Sequence, residues 1–198
     1  MDTLRKLKWV AFLAFFTGLV PSAASAVYVY TKTANLPIIG TPGPASTVTE
    51  SVLDITDSYL ISKLDIEINI THTNVFDLQI FLKSPSGSKI CLNMYNPYDG
   101  YFKGQNYHQT LFDDSADTPI EAGIAPFTGR FRPLQGNLLS TFNGQSIKGK
   151  WKLQVYDMFD TNSGTLDSFT IFIGLPEVPT GIFYITAFAL SIYLPRKR

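Results

Sequence analysis

Six aspartates are the groups in this chain whose type and setting could do chemistry: Asp77, Asp113, Asp114, Asp157, Asp160 and Asp167. Several fall in turn-like segments that a folded domain would gather. Clustered carboxylates together with backbone carbonyls are what calcium requires, six to eight oxygens in flexible geometry. Asp77, Asp113 and Asp114 are the first candidates as ligands, with Asp157 and Asp160 behind them. The competing use is local, since an aspartate in a turn accepts bonds from nearby backbone or stays a solvated charge. The chain has two histidines, His72 in a polar corner and His108 in an aromatic loop. A Ser-His-Asp hydrolase is defined by geometry rather than letters, yet no Gly-Thr-Ser nucleophile motif accompanies them. Tyr98, Tyr101 and Tyr107, in the loop from Tyr95 to Gln109, offer ring faces for binding, in competition with packing of a long loop. Cys91 is the single cysteine; its strand-like setting reads as a small buried residue, and no intramolecular disulfide is possible.

These residues need a scaffold, and the pattern calls for strands. Leu64, Ile66, Ile68 and Ile70 alternate with Asp65, Glu67 and Asn69, the period-two series of a half-buried strand. Leu78, Ile80 and Leu82 repeat it after the corner from His72 to Asp77. Ser84-Pro85-Ser86-Gly87 then makes a turn, because proline presets one dihedral and glycine accepts a positive one. Lys89 to Met94 returns as the hairpin partner. A loosely patterned first strand starts at Thr47, and Trp151, Leu153, Val155 and then Leu166 to Ile173 supply the last ones. The stretch from Leu111 to Pro133 lacks periodicity and is expected to be ordered loop. Leu138 to Gly144 is expected to hold one helical turn. Many short strands between such turns predict an all-β sandwich or barrel.

The two ends read differently from the middle. Arg5, Lys6 and Lys8, the apolar stretch from Trp9 to Val20 and the small residues ending in Ala24 and Ala26 form a signal-peptide pattern over residues 1–26. Cleavage is expected between Ala26 and Val27, which makes the protein exported, to the cell surface, periplasm or extracellular space. Residues 27–46, rich in Pro, Gly and Thr, are expected to be an extended linker to a domain over 47–174. Residues 175–198 run from Leu175-Pro176-Glu177-Val178-Pro179-Thr180-Gly181 through an apolar stretch to Arg196-Lys197-Arg198, and are expected to be a sorting or membrane-anchor segment. Formal charge is zero with sixteen residues of each sign. The two ends hold six of the basic residues and one of the acidic, which leaves ten against fifteen, a net of −5 over 27–195. With no basic run there, nucleic acid is not an expected partner.

The letters also resemble a known family. His72-Thr73, Asp77-Leu78, Leu82 and Ser84-Pro85-Ser86-Gly87 resemble the core motif of the P domain (P/Homo B) of proprotein convertases and bacterial subtilisin-like proteases. Phe112-Asp113-Asp114-Ser115-Ala116, Ala125-Pro126-Phe127-Thr128-Gly129, Phe131-Arg132-Pro133, Gly149-Lys150-Trp151-Lys152-Leu153, Asp157 and Gly164 to Phe169 follow in the same order. Phe76 departs from the usual glycine and Phe169 from the usual tryptophan. The resemblance implies a jelly-roll β-sandwich of about eight strands. It also implies an accessory role beside a protease, with no catalysis of its own, and in some members calcium. The tail resembles tripartite bacterial sorting signals of the Pro-Glu-Pro kind, here as Pro-Glu-Val-Pro, which implies a C-terminal processing enzyme and a membrane contact. The expected function is an exported, surface-anchored module that stabilises or binds a partner protein, a separate protease being one such partner. The alternatives are a carbohydrate-binding jelly roll that uses Tyr98, Tyr101 and Tyr107, and a hydrolase.

Overall fold

The strictest alternation in the sequence becomes the centre of a sheet. A computed structural model describes residues 27–40, 47–95 and 104–175. In it strand β3 (Lys63–His72) buries Leu64, Ile66, Ile68 and Ile70 to 2% exposure or less. Each such side chain withdrawn from water contributes roughly 1.5–3 kcal/mol. The other strands are β1 (Val27–Ile39), β2 (Val48–Ile55), β4 (Leu78–Lys83), β5 (Lys89–Asn93), β6 (Tyr107–Phe112), β7 (Phe127–Phe131), β8 (Gly149–Asp157) and β9 (Ser163–Gly174). One sheet runs β1-β9-β3-β6-β7 and the other β2-β8-β4-β5. Their inner faces meet in a single core, in which Trp151 stands edge-on to Phe142 at 5.2 Å and donates its indole N–H to the Ile147 carbonyl. The molecule is the expected β-sandwich.

Three local expectations are corrected. Residues 27–39 of the expected linker form β1, paired along β9 from Val27↔Gly174 to Ile39↔Ser163. Apolar residues on both faces (Val27, Tyr28, Val29, Tyr30) hide its period. A register shift between Thr33 and Leu36, with Asn35 at φ 47°, and Pro37 hide its continuity. Such irregularities are tolerated on an edge strand. The stretch expected as loop contains β7, which lies parallel to β6 and turns only Phe127 and Phe131 inward, with Gly129 at φ 96° between them. Tyr107 to Gln109, expected as loop, begin β6. The helical turn expected near residue 140 is the 3₁₀ turn Leu139–Phe142. In the hairpin turn Gly87 takes φ 97° and donates its N–H to the Ser84 carbonyl. The sandwich thus has nine strands among the described residues, against the eight or so expected.

Candidate functional site

At one end of the sandwich β3 stops at His72, the 3₁₀ turn Val75–Asp77 redirects the chain into β4, and β8 ends at Asp157. These three ends bring His72, Asp77 and Asp157 together. His72 Nε2 lies 3.1 Å from Asp157 Oδ2, and both side chains are completely buried. Its Nδ1 lies 2.8 Å from the Asn74 carbonyl, so both ring nitrogens are engaged. The other Asp157 oxygen accepts the Phe159 N–H. Asp77 accepts amide N–H bonds from Asn74 at 2.9 Å and Asn162 at 2.7 Å. Burial, and then the Asp157 charge, push its carboxyl above the usual range against the pull of those amides. Gly164 lets the strands close here, since a Cβ on it would stand 2.2 Å from the Thr71 carbonyl oxygen. This corner is a clamp tying the start of the β8–β9 connection to the β3–β4 corner. No serine hydroxyl among the described residues bonds to the imidazole, and no surface of it faces solvent.

A second polar cluster sits on the outside of the five-stranded sheet. Asp113 Oδ1 accepts the backbone N–H and the hydroxyl of Ser115, while Oδ2 meets Arg130 and, at 3.3 Å, Lys63. Lys63 also bridges to Asp65 at 2.8 Å. Burial alone would raise the Asp113 carboxyl, but the Ser115 N–H, Arg130, the Ser115 hydroxyl and Lys63 hold it well below the usual carboxylate range. Asp114 points elsewhere and receives the N–H groups of Leu139 and Ser140, both at 2.8 Å, at the start of their 3₁₀ turn.

The expected calcium ligands are therefore not one set. Asp77 and Asp157 share the corner, while Asp113 and Asp114 lie in other parts of the fold. Asp160 is exposed in the turn before β9. Both oxygens of Asp77, Asp113, Asp114 and Asp157 accept bonds from N–H or O–H donors. Among the described residues no group of three or more histidine, cysteine or acidic side chains is placed to hold a metal. This donor set does not fit calcium.

The binding tyrosines fare unevenly. Tyr98 and Tyr101 lie outside the described residues. Tyr107 is a correction: it is 1% exposed, stacked on Phe127 at 5.0 Å, with its hydroxyl accepting from Asn93. It is a core residue because β6 turns it inward, and burial pushes its phenol upward. Cys91 is buried as expected, its thiol donating to the Asn93 carbonyl and pushed up to about 11 by burial. Exposed His108 lines a groove of about 390 Å³ with Asn69, Thr71, Asn106, Thr128 and Asp167. Here Asn69 accepts the Gln109 N–H and stabilises its φ of 48°. Sequence reading missed the partners that consume the aspartates, namely Asn74, Asn162, Arg130 and Lys63. Asn74 alone had a signal, standing three residues before Asp77 at a turn.

The described His–Asp pair is thus sealed inside the β-sandwich, where it clamps one corner of the fold. The proprotein convertase P-domain profile matches residues 61–173, over half of the chain, and the chain belongs to that family, a non-catalytic accessory domain of subtilisin-like proteases. A search of curated protein sequences returns no match. Solved structures similar to the chain include a serine protease of Aeromonas sobria, with TM-score 0.48 and 16% identity over 79% of this chain and 28% of that one. The complex of the A. sobria serine protease with a chaperone gives TM-score 0.47 and 18% identity over 78% and 28%. A structure of infectious bursal disease virus, Gt strain, gives 0.41 and 14% over 77% and 34%. The chain thus spans about a third or less of the length of these structures.

Proposed function

We propose that this protein is an exported, surface-anchored P-domain module that works by binding and stabilising a partner protein, a separate subtilisin-like protease being the favoured class. The observation that carries the reading is the family match over residues 61–173, from β3 into β9, combined with the burial of His72 and Asp157. A charge relay needs an imidazole that can exchange protons with a substrate-facing nucleophile. His72 is instead enclosed, and both of its nitrogens are occupied. Export and anchoring rest on the signal-like residues 1–26 and the apolar, basic-tipped residues 175–198. Among the described residues no helix is long and apolar enough to cross a membrane.

The test has two arms. The purified chain is incubated with casein and with a fluorophosphonate probe; no cleavage and no labelled serine are expected. It is then mixed with a subtilisin-like protease that lacks its own P domain, taken from the same genome, and the protease's thermal inactivation is followed. A slower inactivation supports the reading. Labelling of a single serine, or an unchanged inactivation rate with every such protease, overturns it. The carbohydrate-binding alternative loses one of its three rings with Tyr107 in the core.

A further inference from the structure

The lysines of this chain are scattered in sequence, but strand register gathers three of them. On the outer face of the four-stranded sheet Lys152 of β8 stands opposite Lys83 of β4, and Lys83 stands opposite Lys89 of β5. Adjacent strands are about 4.8 Å apart, so three ammonium groups are rooted in one row across three neighbouring strands. Like charges directly opposite each other destabilise a sheet. Lys152 pairs with Glu50 at 2.6 Å, and the same carboxylate acts on Lys83 from further off. Neither Lys83 nor Lys89 makes an ion pair of its own among the described residues. Beside the row the rings of Phe81 and Tyr156, diagonal to each other across the β4–β8 ladder, meet edge to face at 5.8 Å, half-buried, and Lys89 Nζ lies 4.0 Å from the Phe81 ring centre and 5.3 Å from that of Tyr156. The adjoining edge of β5 is occupied, since Leu92 accepts the Leu134 N–H and Asn137 accepts the Cys91 N–H. What remains open is the face, not the edge.

We propose that this face is a docking surface for an acidic segment of a partner protein, with carboxylates meeting Lys83 and Lys89 and an apolar side chain seated on the Phe81–Tyr156 pair. The inference deepens the partner-binding reading and rests on it by naming the chemistry of the partner. Charge complementarity selects a protein over the other polyanions. The region 27–195 carries a net charge of −5, so a long polyphosphate or an anionic bilayer meets repulsion wherever it extends beyond the row. A short acidic segment stays within about one Debye length, roughly 8 Å at physiological salt, of the two free ammonium groups. The aromatic pair beside the charges matches the mixed composition of a protein interface. Nucleic-acid binding, by contrast, depends on neutralising a run of phosphates.

The experiment is fluorescence anisotropy on the purified chain with a short labelled peptide of Asp and Glu around one Leu. The comparison sets Lys83→Gln/Lys89→Gln against the charge-matched control Lys32→Gln/Lys148→Gln. The first variant is expected to bind about tenfold more weakly and the control within about twofold of the parent, a loss of about 1.4 kcal/mol for the row. Equal losses in both variants, or parental binding by the first, would overturn the assignment. So would tighter binding of single-stranded DNA or phosphatidylglycerol vesicles than of the peptide. If the peptide result fails while the chain still protects a protease from inactivation, this inference falls and the accessory reading stands. If the row binds the peptide and no protease is protected, the reverse holds.

Discussion

Asp113 shows how one carboxylate is diverted from a metal to the fold. Its oxygens accept from Ser115 and meet Arg130 and Lys63, and its folded-state pKa lies below the ordinary value near 4. A depressed pKa means the contribution is fully present above the unfolded value and is lost as pH falls through the folded one. Asp113→Asn is therefore expected to lower stability by about 2 kcal/mol at pH 7. Its difference from the parent should shrink as pH drops below about 4, measured by urea melts across pH. Asp77 has the opposite sign, because its raised pKa favours folding at low pH and that contribution fades as pH rises through the folded value. A difference for Asp113→Asn that stays constant from pH 7 to pH 2 would show that its charge plays no part. The aspartates were legible in the sequence as turn or ligand residues. Their partners were not, because Arg130 lies 17 residues away from Asp113 and Asn162 lies 85 from Asp77. Those separations are closed by strand register, which no local pattern encodes.

At the scale of elements, the strands with one buried face were legible and the irregular ones were not. β3, β4 and β8 alternate cleanly because each has a core face and a wet face. β1 has no such contrast: only Ile38 is fully buried, and Tyr28, Tyr30, Ala34 and Leu36 pack partly against the core. Among the described residues it is nonetheless the only cover along one side of β9, whose other side pairs with β3. A chain beginning at residue 47 is expected to lose roughly 5 kcal/mol from these apolar contacts. It should also associate through the exposed β9 edge. Calorimetry and light scattering against a chain beginning at Val27 check this, and equal melting temperatures with both chains monomeric would refute it. The lysine row belongs to this scale too, since Lys152, Lys83 and Lys89 lie far apart in sequence and meet only through the ladders β8–β4 and β4–β5.

At the scale of the whole molecule, stability rests on packing and internal polar clamps, with no disulfide available to a single cysteine. The chain is expected to show the same melting temperature in EDTA and in millimolar calcium. Ligand binding to the native state raises stability in proportion to saturation, so a calcium-dependent rise of several degrees would contradict the donor geometry described above. The pairing of Val27 with Gly174 has one more consequence. The chain enters and leaves the sandwich on the same rung of one antiparallel ladder. Tension applied between residue 27 and residue 175 would fall on one terminal hydrogen-bonded pair at a time and open β1 from β9 like a zipper. A load applied between residue 175 and the opposite sheet would instead cross the packed core. The domain is built to bear load from its face rather than between its ends.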